Sequence, residues 1–170
     1  MHGFSEAVLA FTRAHGDLAP LIVGLLSFGE SLAFVSLVVP ATTILLGSGA
    51  LFAAADITFL PVWAGAAIGA FLGDWLSFWL GRHFKDRIRW LWPFSRHPAL
   101  LVSGRRFFAR YGTFGVFLGR FFGPLRSVVP IVAGVSGMPP LPFQIANIAS
   151  ALIWAAAMLA PGTLAVNWLG

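Results

Sequence analysis

What this chain can fold into is decided first by where its charges are missing. No Asp, Glu, Lys or Arg occurs from Ser31 to Ala55, from Ile57 to Gly73, or from Ser127 to Gly170. A membrane-spanning helix needs about 20 mostly apolar residues, so these stretches leave room for several passes. A soluble domain carries about 25% charged residues, whereas only 10% of these 170 residues are charged and 58% are hydrophobic. The fold class that follows is all-α and integral to a membrane.

The charges that remain are concentrated. Eight of the eleven basic residues (Arg82, Lys85, Arg87, Arg89, Arg96, Arg105, Arg106 and Arg110) lie between positions 82 and 110, where Asp86 is the single acid. The positive-inside rule places this linker on the cytoplasmic side of the cell (inner) membrane. Topology and contact with anionic head groups explain the cluster better than nucleic-acid binding does. The start, Met1-His2-Gly3-Phe4-Ser5-Glu6, lacks the basic and apolar regions of a cleavable signal. Phe4, Val8 and Phe11 recur at helical spacing, so residues 1–17 read as an interfacial helix or a solvated tail.

Asp17 before Leu18-Ala19-Pro20 marks a helix start, with the helix expected to reach Val39 and to be interrupted at Gly29-Glu30. Pro40, Gly47 and Gly49 make residues 40–55 too short and too broken for an ordinary span, so a re-entrant hairpin is expected there. The next helix, about 61–81, carries Gly65, Gly69, Gly73, Ser77 and Gly81 at a spacing of four, a stripe for close helix packing in lipid. An amphipathic helix is expected over 99–110. A second hydrophobic region then starts at Tyr111-Gly112 and is broken at Gly123, Pro124 and Pro130. A final helix covers about 143–159, and Pro161-Gly162 ends or bends it, leaving a short tail over 161–170.

The halves of the chain echo each other. A shift of 90 places Gly29-Glu30 on Gly119-Arg120, Val38-Val39-Pro40 on Val128-Val129-Pro130, and Gly47 on Gly137. Interrupted hydrophobic segments at matching places in two halves point to a transporter built from structural repeats, with its site where they meet.

Four charges stand inside apolar sequence: Glu30, Asp74, Arg120 and Arg126. Each costs roughly 2.5–3.5 kcal/mol at mid-bilayer on insertion scales, so they should face one another or a watery cavity. Two arginines brought to one point by the Gly123-Pro124 break suit a lipid phosphate. Glu30 is then a proton carrier or charge balance. Asp74 pairs with Arg120, with Arg126 or, at the helix end, with Arg82. The plain alternative is a buried ionic lock that only holds the fold.

Gly134-Val135-Ser136-Gly137 has the G-x-S-G pattern of an intramembrane serine protease. That nucleophile needs a downstream histidine, and the last histidine is His97. His83 and His97 lie in the linker, His2 and His15 near the amino terminus, and there is no cysteine. No enzyme, metal or cofactor is expected.

Several of these segments carry a resemblance. They are Phe28-Gly29-Glu30 followed by Pro40; Gly69-Ala70-Phe71-Leu72-Gly73-Asp74; Gly81-Arg82; Phe108-Ala109-Arg110-Tyr111-Gly112; and Gly119-Arg120-Phe121-Phe122-Gly123-Pro124-Leu125-Arg126. The last of these continues into Pro130, Ala133-Gly134, Met138, Phe143, Asn147 and Trp154. Over about 18–160 the sequence resembles the DedA superfamily, whose domain is also called VTT or SNARE-associated. The resemblance implies transmembrane helices with two facing re-entrant hairpins. It also implies flipping or recycling of a phosphate-bearing lipid, undecaprenyl phosphate or phosphatidylethanolamine, in dependence on proton motive force. It puts the family's essential acids and arginines on Glu30, Arg120 and Arg126. Where the family has a second acid, this chain has Thr42, and it stops soon after Pro161, where many relatives continue. A membrane lipid as substrate, protons as coupling ion and a homo-oligomer follow as expectations. The alternatives are a proton- or cation-coupled exporter of small solutes and a structural membrane factor.

Overall fold

The computed structural model of the chain describes residues 14–32, 41–88, 90, 95–96, 99–122 and 126–169, and among them there is no β-strand. A 3-10 turn over Gly16–Leu18 leads into α1 (Ala19–Ser31). It is followed by α2 (Ala41–Ala54), α3 (Phe59–His83) and the single turn α4 (Lys85–Ile88). The second half holds α5 (Ala99–Gly119), α6 (Val128–Val135) and α7 (Pro140–Leu169).

Helices α3 and α7 are long and apolar enough to cross a membrane, over Phe59–His83 and Pro140–Val166. They pack antiparallel, as three contacts along their length show: Trp63 Nε1 donates to the Leu152 carbonyl at 3.0 Å, Asn147 Nδ2 to the Phe71 carbonyl at 3.1 Å, and Phe78 stacks on Phe143 with ring centroids 4.0 Å apart. A core helix of a soluble protein would be mostly buried. Only 39% of the most apolar stretch of α3 and 28% of that of α7 are buried within the chain. Leu21, Leu60, Ile68 and Ile145 point outward, while Ser27, Glu30, Asp74, Arg120 and Asn147 are inside. Apolar side chains outside and polar ones inside are what a hydrocarbon solvent selects.

The stripe of small residues on α3 serves two partners. A Cβ on Gly65 would overlap the Pro20 carbonyl, one on Gly69 the Gly24 carbonyl, and one on Gly73 would come within 2.6 Å of the Phe28 carbonyl, so α1 lies directly on the backbone of α3. One turn further on, Ser77 Oγ donates to the Ser31 carbonyl at 3.4 Å. Past the end of α1, Gly81 meets the Ile131 carbonyl and Gly134 of α6 meets the Phe78 carbonyl. Helix α2 rests on α7, where a Cβ on Gly49 would overlap the Leu159 carbonyl. Two apolar cores result. One joins Val23, Leu45, Ala66, Ala70, Trp154 and Leu159; the other joins Phe78, Phe108, Val116, Ile131 and Phe143.

Several boundaries differ from expectation. Helix α1 is not interrupted at Gly29-Glu30 but runs through them to Ser31, and Leu32 leaves it in extended conformation. The segment expected to form a hairpin, 40–55, is from Ala41 onward one unbroken helix through Gly47 and Gly49. A glycine inside a helix costs only about 1 kcal/mol relative to alanine, and at Gly49 it permits the contact with α7. Pro130 does not break a helix; it is the third residue of α6, in the first turn, where no intrahelical donor is needed. Pro161 does not end α7, which continues to Leu169. Breaking it in an apolar environment would leave further backbone groups without partners. The Tyr111-Gly112 boundary appears as a bend, with Gly112 at φ 49° inside α5. Pro40, Gly123 and Pro124 lie outside the described residues, as do 1–13 and 33–39.

The packing of α1 on α3 is testable. Gly69→Val is expected to destabilise the protein by about 1–3 kcal/mol through overpacking, while Ile68→Val on the outward face changes stability by less than about 0.5 kcal/mol. Thermal unfolding in detergent measures both.

Candidate functional site

Three element ends and the long helix α3 bring the four intramembrane charges together between the two apolar cores. Glu30 occupies the last turn of α1, and Arg120 stands directly after α5. Arg126 sits two residues before α6, its backbone N–H bonded to the Phe122 carbonyl at 3.2 Å. Asp74 lies within α3 between Ala70 and Phe78, members of the two different cores. Glu30 and Arg120, matched in the 90-residue shift, thus each stand at the carboxy-terminal end of a helix.

The pairing crosses the halves of the chain. Arg126 Nη1 donates to Glu30 Oε1 at 2.9 Å, and Arg120 Nη2 donates to Asp74 Oδ2. The side chains are 11% and 4% exposed in the first pair and 4% and 9% in the second. The two pairs are bridged by α7, whose Asn147 meets Arg120 and whose Trp154 meets Arg126. Two acids and two bases make the formal charge of the cluster zero. The three options open for Asp74 resolve to Arg120, because Arg82 Nη1 instead donates to the Met138 carbonyl at 3.0 Å.

Two neighbours complete the site. Arg120 Nη2 also donates to Asn147 Oδ1 at 2.8 Å, and the Arg126 guanidinium lies 4.3 Å from the centroid of the Trp154 ring, in cation–π geometry. Asn147 and Trp154 lie seven residues apart, about two turns, on the same face of α7, and both are buried. Sequence reasoning did not give either a role at the site. The available signal was Gln144, Asn147 and Ser150 at a spacing of three in an otherwise apolar helix.

Arg120 Nη1 is buried without a hydrogen bond among the described residues. A guanidinium can donate five hydrogen bonds and accepts none, so this open end can be filled only by an acceptor. Thr42 lies in the first turn of α2, and its side chain is outside the described residues. No group of three metal-ligating side chains occurs among the described residues.

Residues 39–164 match the VTT domain family. The chain belongs to the VTT domain (DedA) family. It is 38% identical over 146 residues to the inner membrane protein YabI of Escherichia coli (strain K12), covering 85% of this chain and 57% of YabI. It is 32% identical to an uncharacterized membrane protein of Buchnera aphidicola subsp. Acyrthosiphon pisum, covering 84% of this chain and 56% of that one. To the inner membrane protein YghB of Escherichia coli (strain K12) it is 36% identical, over 68% of this chain and 53% of YghB. The chain thus spans little more than half the length of these relatives. No solved structure matches it. With relatives named as membrane proteins and two helices able to span, this DedA-family chain is an integral membrane protein. The matched residues contain Asp74, Arg120, Arg126, Asn147 and Trp154; Glu30 precedes them.

Removing one partner of a buried pair leaves an uncompensated charge and costs about 3–5 kcal/mol, whereas replacing both by apolar groups is often neutral. Asp74→Leu alone is therefore expected to lower the unfolding midpoint in detergent strongly. Asp74→Leu combined with Arg120→Met is expected to recover most of that loss.

Proposed function

We propose that this protein is a lipid transporter in which Arg120 and Arg126 take the phosphate of a phosphate-bearing lipid, the charged head that otherwise crosses a bilayer slowly. The observation that carries the reading is the buried, open Nη1 end of Arg120. Phosphate and carboxylate use the same bidentate geometry on a guanidinium. Glu30 and Asp74 therefore act as internal stand-ins that occupy the arginines until a phosphate displaces them. Undecaprenyl phosphate and phosphatidylethanolamine are the lipids to test. Glu30, which holds Arg126, is in this reading the acid through which protons couple, because Thr42 has no carboxyl. No chemical conversion of the lipid is part of the proposal.

The architecture fits such a cycle. By residue count α1 and α2 are each about 20 Å long and α6 about 12 Å, short of the roughly 30 Å hydrocarbon core. In this reading α1–α2 and the end of α5 with α6 are two membrane-dipping pairs that carry the site to mid-depth, and the basic linker 82–110 faces the cytoplasm. A homo-oligomer is compatible with this arrangement, and the site is built within one chain.

A second reading has its own observation. Both acids are engaged by arginines. A structural lock would look like this too. Leaflet exchange of labelled undecaprenyl phosphate and phosphatidylethanolamine in vesicles separates the readings. The proposal predicts exchange by the wild-type protein that falls at least about tenfold, the worth of one hydrogen bond to a charged group, in folded Arg126→Ala. Folded Glu30→Gln is predicted to lose its dependence on a pH gradient. Wild-type protein that exchanges neither lipid, with or without the gradient, refutes lipid transport.

A further inference from the structure

Asn147 is fully buried and ties together three parts of the fold. Its Oδ1 accepts from Arg120 Nη2 at 2.8 Å, while its Nδ2 donates to the Phe71 carbonyl of α3 at 3.1 Å and to Gln144 Oε1 at 3.4 Å. The orientation of the amide is fixed by its partners. A guanidinium offers only donors and a carbonyl only acceptors, so the amide oxygen must face Arg120 and the amide nitrogen must face Phe71.

The consequence lies in charge rather than in shape. Arg120 uses a single nitrogen, Nη2, for both Asp74 and Asn147, and this leaves Nη1 open. An aspartate at 147 could accept from Arg120 equally well but would bring a third negative charge to a cluster of two acids and two bases. It would also set a lone pair against the Phe71 carbonyl. Asparagine holds the guanidinium in place without neutralising it.

We infer that Asn147 is a positioning residue that sets the charge selectivity of the site, fixing Arg120 while preserving its attraction for an anionic phosphate. The inference rests on the proposed role of Arg120 and Arg126 as phosphate ligands. The charged groups around Asn147 are Asp74 from α3, Arg120 after α5, Arg126 before α6 and, through Arg126, Glu30 from α1.

The test is lipid exchange in vesicles, measured from mildly alkaline to mildly acidic pH, for wild-type protein, Asn147→Asp, Asn147→Ser and Arg126→Ala, each checked for folding by thermal unfolding. Asn147→Asp is expected to lose about tenfold or more of the exchange of undecaprenyl phosphate at alkaline pH, comparable to one charge-assisted hydrogen bond. Its activity relative to wild type should then rise as the pH is lowered and the introduced carboxyl takes up a proton. A purely structural role predicts a ratio that does not change with pH, and a flat ratio in folded protein overturns the inference. If Asn147→Asp does not fold, Asn147→Ser decides: a loss of similar size in folded protein supports the inference, and wild-type exchange overturns it. Arg126→Ala keeps the two ideas apart. Exchange that survives Arg126→Ala sinks the phosphate site itself, whereas exchange lost there but unaffected by either Asn147 substitution sinks only the role of Asn147.

Discussion

An ionised group in hydrocarbon must be paired, and the pairing of Glu30 with Arg126 and of Asp74 with Arg120 decides how the rest of this molecule is arranged. Each pair joins a residue from the first half of the chain to one from the second. Helix α1 must therefore end where α5 ends, and the segment before α6 must return to the same depth. The long antiparallel pair α3 and α7 supplies the frame, with Asp74 and Asn147 placed at its polar middle between two apolar cores.

Such convergence needs helices that approach closely, and here the driving force is packing rather than hydrophobic exclusion, because the surroundings are as apolar as the side chains. Gly65, Gly69 and Gly73 let α1 lie against the backbone of α3, which brings Glu30 to the level of Asp74. Gly81 and Gly134 do the same for α6 and so place Arg126. The glycine stripe and the charge cluster are parts of one design: the first sets the distances at which the second can form.

Much of this was legible in the sequence. Charge-free stretches marked the membrane class, the spacing of four marked the packing face of α3, and the four isolated charges marked the residues that pair inside the fold. What could not be read were the helix limits. Glycines and prolines that suggest breaks in water are tolerated in apolar surroundings, as α2 passing Gly47 and Gly49 and α7 passing Pro161 demonstrate. The partner of Asp74 was also hidden, because whether Arg82 or Arg120 reaches it depends on the helix packing and not on distance along the chain. Asn147 and Trp154 were visible as residues but not as parts of the cluster, since their contacts arise only where α7 meets Arg120 after α5 and Arg126 before α6.

The central claim is that Glu30 and Arg126 are partners across the two halves, and a double-mutant cycle tests it most directly. The stabilities of wild-type protein, Glu30→Gln, Arg126→Gln and the double variant would be compared by unfolding in the same detergent. The account predicts a favourable coupling of at least about 1 kcal/mol, within the range of about 0.5–3 kcal/mol seen for residues in contact. Effects that simply add, to within about 0.3 kcal/mol, would contradict the pairing and with it the joined site.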